Sequence, residues 1–176
     1  MPQSQVIAII FHEQNNLEMA AGFFRFRKAL FVDECGWNLP VSSNAETDQF
    51  DTFDAVYCVL LAEDEVVGGF RAIRCDKPYL AREVFPHLAT MRPYPERADY
   101  WEISRFGVHR HHRKYGVALE AAMFHCAETR RAKALVAVAD LGHERLLSKI
   151  GIRTRRYGPP ITLGDLEIQR IRESTE

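Results

Sequence analysis

The chain has 176 residues, 47% of them hydrophobic, and a net charge of -1, which predicts one domain (1–176) with a sizeable core. A near-neutral charge gives no global attraction for nucleic acid, and no apolar run is long enough to span a bilayer. The 4 cysteines form no C-x-x-C pair, which disfavours zinc ribbons and thioredoxin-like redox sites. We therefore expect a cytoplasmic protein, a monomer or weak dimer, that binds neither nucleic acid nor membrane.

Hydrophobic periodicity assigns the elements in chain order. The first half reads as a strand at 5–12, a helix at 16–33, a polar connection at 35–54, a hairpin of strands at 55–62 and 65–75 turning at Asp64, and a short helix at 78–88. The second half reads as a strand at 100–109, a buried helix at 114–131, a strand at 134–139, a helix at 142–150 and two closing strands within 152–172. This order predicts an α/β (three-layer α+β) fold with a mixed central sheet flanked by helices.

Two charged residues stand inside the apolar strand Trp101–Phe106. Glu102 and Arg105 are residue types that are almost never fully buried unless paired. A buried ion pair is also weak support for stability, because desolvation offsets much of the attraction. The segment is therefore either a solvated edge strand or part of a functional site.

A second signal is the basic-x-x-Gly-x-Ala segment Arg113–Ala118, which opens the helix at 114–131. Glycine lets the backbone approach an anion closely, and the free amides of a helix start point at phosphate. The alternative is an ordinary glycine-containing helix start.

The histidines at 109, 111 and 112 lie in the same basic run, and we interpret them as part of a basic loop, because zinc needs converging ligands that no other segment supplies. We predict no metal site.

Arg113–Ala118 resembles the pyrophosphate loop of the acetyltransferase (GNAT) superfamily, in which this loop and the preceding strand bind the pantetheine arm of coenzyme A. The whole chain resembles a narrower family, the acyl-homoserine-lactone synthases, over about residues 20–160. Eight positions match that family's pattern in order and spacing: Arg27, Phe31, Trp37, Asp48, Asp51, Arg71, Glu102 and Arg105.

The resemblance implies an acetyltransferase-like fold and a specific reaction. An acyl chain on acyl carrier protein or coenzyme A passes to the amine of S-adenosylmethionine. The product then lactonises to an N-acyl-homoserine lactone, a quorum-sensing signal, and methylthioadenosine leaves. Both substrates come and go, and no tightly bound cofactor is implied. Glu102 and Arg105 point to opposite faces of a regular strand, so a shared site requires a bulge. The superfamily has one there, and we predict a bulged, splayed strand at 101–109.

The resemblance also suggests residue roles. Glu102 would be the general base, with Arg105 beside it in the catalytic site. Phe31 and Trp37 would meet the sulfonium or the adenine of S-adenosylmethionine, and Arg27 would pair with its carboxylate or hold the acidic loop. The remaining matched residues would form a charge network that orders this loop: Asp48, Asp51, Arg71 and Arg105. Core packing for Phe31 and a solvated acidic loop for the two aspartates are the alternatives.

The donor would meet residues of the second half. Arg113, Gly116 and Ala118 would bind phosphopantetheine. The acyl pocket is predicted between the sheet and the helix at 114–131, lined by Leu119, Met123, Ala137 and Val138. Some family members that use 3-oxo chains carry a Thr on the strand after this helix. The resemblance places Ala137 at that position, and the lack of a hydroxyl there disfavours 3-oxo chains.

Two features of the sequence point to different acyl donors. The phosphate cradle favours coenzyme A, whereas a basic surface suits an acidic carrier protein: Arg130, Arg131, Lys133, Arg153, Arg155 and Arg156. We favour the carrier protein. Two alternatives to the synthase remain, an acetyl-CoA-dependent N-acetyltransferase of the same fold and a non-catalytic module that binds an acyl ligand.

Overall fold

The structure is a computed structural model that describes residues 5–162. The strands are β1 (Val6–Phe11), β2 (Val41–Ser42), β3 (Ala45–Glu46), β4 (Val56–Ala62), β5 (Glu65–Arg74), β6 (Tyr100–Val108) and β7 (Ala134–Val136). The helices are α1 (Leu17–Arg27), α2 (Leu80–Val84), α3 (Gly116–Thr129) and α4 (Leu141–Lys149). A π-helix (Lys28–Glu34) and 3-10 turns at Glu13–Asn15, Pro86–Leu88 and Arg110–Tyr115 complete the described elements.

The central sheet has the strand order β1-β4-β5-β6-β7. Its first four strands pair antiparallel, and β7 runs parallel to β6. A tight turn joins β4 to β5, with Glu63 and Asp64 at φ 52° and 65°, as two-residue hairpin turns require. The pairing of β7 ends where Val136 meets Glu102, and beyond that point β6 continues without this neighbour. The mixed sheet with a splayed strand confirms the prediction.

Helices cover both faces of this sheet and make three layers. On one face α1 places Phe23 and Phe24 against Tyr57 of β4, with ring centroids 5.7 and 5.6 Å away. On the other face Leu119 of α3 is buried in a cluster with Ile103. Since β4 is an interior strand of a sheet covered on both faces, its residues are buried on both faces, which explains its nearly continuous apolar sequence.

The first half of the chain holds two elements that the sequence did not predict. The helix expected at 16–33 is α-helical only to Arg27 and then continues as the π-helix Lys28–Glu34. The polar connection at 35–54 contains the hairpin β2–β3, which turns at Ser43 and Asn44 with φ 49° and 62°. This region is therefore ordered by its own backbone pairing rather than being a structureless loop.

The C-terminal part corrects two predictions. The strand expected at 134–139 ends at Val136, and residues 152–162 form no strand. Instead, the Tyr157 carbonyl accepts the N–H of Met91 at 2.8 Å, and the Tyr157 ring packs 4.9 Å from that of Tyr94. The backbone of this segment thus pairs with a loop and not with the sheet. The rest of the predicted closing strands lies outside the described residues. Within 5–162, no helix has the length and apolar content needed to cross a bilayer.

Candidate active site

The predicted bulge is present in β6, at Arg105. Gly69 of β5 lies opposite Gly107, whereas Arg71 lies opposite Ser104, so β6 has one more residue than β5 in this interval. Arg105 takes up the extra residue with a φ of 52°, in the left-handed region that bulges use. The bulge turns the Arg105 side chain to the face that carries Ser104, whose hydroxyl accepts a hydrogen bond from Arg71 at 3.1 Å.

Three guanidinium groups and three carboxylates form a buried network on this face: Arg27, Arg71, Arg105, Glu46, Asp48 and Asp51. The ion pairs expected for Arg71 are present, with Asp48 at 2.5 Å and Asp51 at 2.9 Å. Arg105 reaches Asp48 at 2.8 Å. The opposite charges match in number, as buried ions require.

Glu46 is the member of this network that the sequence reasoning did not place in the site. Its carboxylate accepts hydrogen bonds from Arg27 at 2.6 Å and from Arg105 at 2.9 Å. Arg27 also donates to Asp51 at 2.7 Å, so it contacts the acidic loop at two carboxylates. One nitrogen of Arg27, Nη2, has no hydrogen-bond partner within the described chain.

The electrostatics of the network favour ionised carboxylates. Burial works against ionisation, but the facing guanidinium groups outweigh it and hold the pKa values of Glu46, Asp48 and Asp51 below their usual range. Tyr57 donates its hydroxyl to Asp51 at 3.0 Å, and burial together with that carboxylate raises the Tyr57 pKa. The acidic loop is therefore tied to α1, β4, β5 and β6 by charge-assisted bonds.

Glu102 lies on the same face of β6 and is 1% exposed. Its carboxylate accepts the backbone N–H groups of Leu80 at 3.1 Å and Ala81 at 2.6 Å, at the first turn of α2. Burial raises the pKa of Glu102, and these two N–H groups oppose part of that rise. The carboxylate predicted to be the base is thus buried away from bulk solvent and held in a fixed position by backbone N–H donors.

The aromatic pair predicted for S-adenosylmethionine is stacked. The rings of Phe31 and Trp37 lie 4.9 Å apart at 19°; Phe31 is buried, whereas Trp37 is 46% exposed. Gly107 of β6 makes room for Leu30, which precedes Phe31 in the π-helix, because a Cβ there would lie 2.5 Å from Leu30, whereas its 3.5 Å distance from Phe31 would be an ordinary contact. The π-helix therefore brings Phe31 next to β6, two residues beyond the bulge.

The phosphate cradle lies where the 3-10 turn Arg110–Tyr115 runs into α3. Arg113 is exposed, and Ala118 is partly buried against the core. A Cβ on Gly116 would meet no atom within 4 Å, so packing within the described chain does not require glycine there. His109 of the basic loop pairs with Glu34 at 2.8 Å, and no group of metal-ligating side chains is found across 5–162.

The four residues predicted to line the acyl pocket differ in burial. Leu119 and Met123 are buried between α3 and the sheet. Ala137 and Val138 lie past the end of β7 and are exposed. The prediction placed them on the strand, and they leave it because β7 has only three residues.

The sequence matches the family model of the autoinducer synthases over residues 11–172. It is 33% identical to an acyl-homoserine-lactone synthase from Acinetobacter nosocomialis over 164 residues, which cover 85% of this chain and 90% of that protein. The chain belongs to the autoinducer synthase family. The predicted family and enzyme class are confirmed, and the chain is an acyltransferase, an acyl-homoserine-lactone synthase.

Solved structures confirm the fold. BjaI, a CoA-dependent acyl-homoserine lactone synthase solved with SAM and isopentyl-CoA, superimposes with a TM-score of 0.84 at 24% identity over 97% of this chain and 89% of that one. An aminoglycoside acetyltransferase from an uncultured soil metagenomic sample matches with a TM-score of 0.55 at 16% identity, over 91% and 99% of the two chains. The acetyltransferase-like fold predicted from Arg113–Ala118 is thus present.

Proposed function

We propose that this synthase joins its two substrates on the bulged face of β6. An acyl thioester of phosphopantetheine passes its acyl chain to the amine of S-adenosylmethionine, and the phosphopantetheine thiol leaves as the amide bond forms. A carboxylate oxygen of the product then displaces methylthioadenosine at the carbon next to the sulfonium, which closes the N-acyl-homoserine lactone. The observation that carries the proposal is the bulge at Arg105, because it puts Glu102, Arg105 and the aromatic pair on one face. Holding amine and thioester together there supplies much of the rate enhancement.

Glu102 is the base that takes a proton from the amine. An ammonium group cannot attack a thioester, so a proton must leave first. Burial raises the Glu102 pKa, which makes this carboxylate a stronger base than an exposed one. Each of its oxygens accepts one backbone N–H, and a carboxylate oxygen has room for a second hydrogen bond. A water held there can carry the proton from the amine to Glu102.

S-adenosylmethionine binds beside the acidic loop. The exposed Trp37 ring offers its face to the sulfonium or the adenine, and a cation–π contact contributes about 0.5–2 kcal/mol. Nη2 of Arg27 lies 3.9 Å from Asp48 but makes no hydrogen bond within the described chain, and its N–H meets the carboxylate of the substrate. Asp48, Asp51, Arg71 and Arg105 hold the loop in place and are positioning residues.

The thioester is carried by an acidic carrier protein and enters over the start of α3. Arg113 and the N-terminal end of α3 around Gly116 and Ala118 bind the phosphate of its arm, although the Gly116 N–H itself already donates to the Arg113 carbonyl. The basic surface predicted for the carrier is partly neutralised, since Lys133 pairs with Asp99 at 3.0 Å and Arg156 pairs with Glu144 at 2.7 Å. Two other arginines of this basic set, Arg131 and Arg153, are exposed. They supply the positive charge on which the carrier protein docks.

The test is an incubation with S-adenosylmethionine and matched pairs of acyl-carrier-protein and acyl-CoA donors of increasing chain length. Mass spectrometry should detect methylthioadenosine and lactone in equal amounts, with faster turnover on the carrier-bound donor of each pair. No methylthioadenosine with any donor would refute the reaction. Acetylated amines formed from acetyl-CoA would instead support an N-acetyltransferase. Faster turnover on acyl-CoA would refute the carrier assignment alone.

A further inference from the structure

Glu120 is a buried carboxyl group on α3 that the proposed chemistry does not use. It is 8% exposed, and its Oε2 atom has no hydrogen-bond partner among residues 5–162. Its other oxygen lies 3.6 Å from Nδ1 of His143 on α4, which is beyond good hydrogen-bond distance. A buried polar group without a partner reduces stability. A ligand group that forms a hydrogen bond with Oε2 would remove this cost.

The location of Glu120 points to the acyl donor. Glu120 follows Gly116 by four residues, so both lie on the same face of α3, about 6 Å apart along the helix axis. A donor whose phosphate rests at Gly116 and whose arm follows this face meets Glu120 one turn later. His143 closes the other side, with its ring 5.4 Å from that of Phe106 in β6.

This meeting point of α3, α4 and β6 lies beyond the place where β6 loses its parallel neighbour. The pairing with β7 stops at Glu102, whereas Phe106 lies four residues further along β6. The wall there is otherwise apolar, since Leu119 and Met123 on α3 belong to the buried cluster. Glu120 is thus a single polar group beside a largely apolar surface, and such a group determines the orientation of a ligand.

The chemistry of the pair favours a neutral partner. Burial raises the pKa of Glu120, although His143 opposes part of the rise, and the unpartnered Oε2 atom can accept a hydrogen bond from an N–H or O–H donor. Amides and hydroxyls match such a group. The pantetheine arm carries amides and a hydroxyl, and a 3-hydroxyacyl chain carries a hydroxyl as well.

We propose that Glu120, positioned by His143, forms a hydrogen bond with an amide or hydroxyl group of the acyl donor, and is a substrate-binding residue. The inference rests on the proposed function, because it takes the donor to run from Gly116 along α3. Hydrogen bonding to the arm would serve every donor, whereas hydrogen bonding to a chain hydroxyl would select 3-hydroxyacyl donors.

Calorimetric titration with butanoyl-CoA and 3-hydroxybutanoyl-CoA tests the proposal without turnover. Glu120→Leu should raise the dissociation constant about three- to tenfold, as expected for the loss of one hydrogen bond. The matched control is Glu128→Leu, an exposed position on the same helix, which should bind both esters like the wild type. Weaker binding of both esters by Glu120→Leu assigns the bond to the arm, and weaker binding of the hydroxylated ester alone assigns it to the chain.

Unchanged binding of both esters by Glu120→Leu would overturn the proposal, as would a wild-type protein that binds neither ester. A purely structural role in holding α4 predicts a lower melting temperature with unchanged affinity, whereas we expect the melting temperature to be maintained. Should Glu120→Leu fail to fold, Glu120→Ala is titrated in its place with the same criteria. A protein that binds the esters through Glu120 yet forms no lactone would refute the proposed function alone.

Discussion

Arg71 shows at the scale of a single residue how the site depends on paired burial. Its side chain is fully buried and bonds to Asp48, Asp51 and Ser104. A buried ion pair adds little net stability compared with an apolar pair, but removing one partner leaves an uncompensated charge in a dry environment. The network is therefore sensitive to the loss of any one member.

Arg71→Met should lower the free energy of unfolding by about 3–5 kcal/mol, because two buried carboxylates each lose one of their guanidinium partners. Arg74→Met on the same strand is the matched control, since Arg74 pairs with Asp76 in solvent at 2.6 Å and exposed pairs contribute about 0–1 kcal/mol. Urea unfolding at neutral pH measures both variants. Equal losses in the two variants would show that burial does not control the strength of the network.

Glu102→Gln tests the base. The amide keeps the size of the side chain but cannot take a proton, so turnover should fall by about 10²- to 10⁴-fold. The affinity for S-adenosylmethionine, measured by calorimetry, should change far less. Glu83→Gln on the exposed side of α2 is the control for the substitution itself. A loss of affinity as large as the loss of turnover would make Glu102 a binding residue.

At the scale of elements, the sequence correctly predicted the helices and strands that have a clear periodic pattern of apolar residues. The strands β4 and β5, their turn at Asp64 and the buried helix α3 are of this kind. The hairpin β2–β3 has no apolar alternation, and it is held by tertiary contacts of Glu46 and Phe50, both buried. The π-helix likewise packs on Gly107 through Leu30, a tertiary contact that periodicity does not show.

In the site, too, some residues could be predicted from the sequence and others depend on tertiary structure. The family pattern named the residues of the charge network except Glu46, which lies two positions before Asp48 and could have been found in that acidic run. Nothing in the sequence marked Tyr57 and Ser104 as partners, because each is one polar atom within an apolar strand. Their roles arise from strand register, which the sequence alone does not give.

Gly116→Ala at the start of α3 should have opposite effects on the stability of the protein and on its affinity for coenzyme A. A Cβ there meets no atom of the described chain, and Gly116 already has helical angles, so alanine should raise the free energy of unfolding by up to about 1 kcal/mol. The same Cβ would occupy the space of a bound phosphate, so the dissociation constant for coenzyme A should rise. Thermal unfolding and calorimetry measure the two effects.

Gly107→Ala is the contrasting variant for that experiment. Its Cβ would lie 2.5 Å from Leu30, and overpacking of this kind costs about 1–3 kcal/mol. We expect this variant to lose stability, whereas Gly116→Ala does not. A stabilised Gly116→Ala protein with unchanged affinity for coenzyme A would remove the phosphate cradle from the proposed site.

At the scale of the whole molecule, the network joins segments that are distant in sequence. Arg27 comes from α1, Glu46 and Asp51 from the hairpin and its following loop, Arg71 from β5 and Arg105 from β6. Because every link is charged, the stability of the fold is coupled to the ionisation of the three carboxylates. Acid should therefore loosen the site and the fold together.

The stability of the protein should fall steeply as the pH drops below about 4, the usual value for unfolded Asp and Glu. The folded pKa values of Glu46, Asp48 and Asp51 are lowered, so their contribution is complete above the unfolded pKa and is lost as the pH falls toward the folded one. Glu102 has a raised pKa and acts in the opposite sense, since its contribution is complete below the unfolded pKa and is lost as the pH rises through the folded one.

Urea unfolding at intervals from about pH 7 down to about pH 3 measures this dependence. Three carboxylates outnumber Glu102, so the loss in acid should dominate. It should persist in high salt, because buried pairs are screened much less than exposed ones. Arg71→Met provides the decisive comparison: without Arg71, the pKa values of Asp48 and Asp51 return toward their unfolded values, so this variant should start less stable at pH 7 and lose less on acidification. Parallel curves for the two proteins would mean that the acid sensitivity arises outside the network.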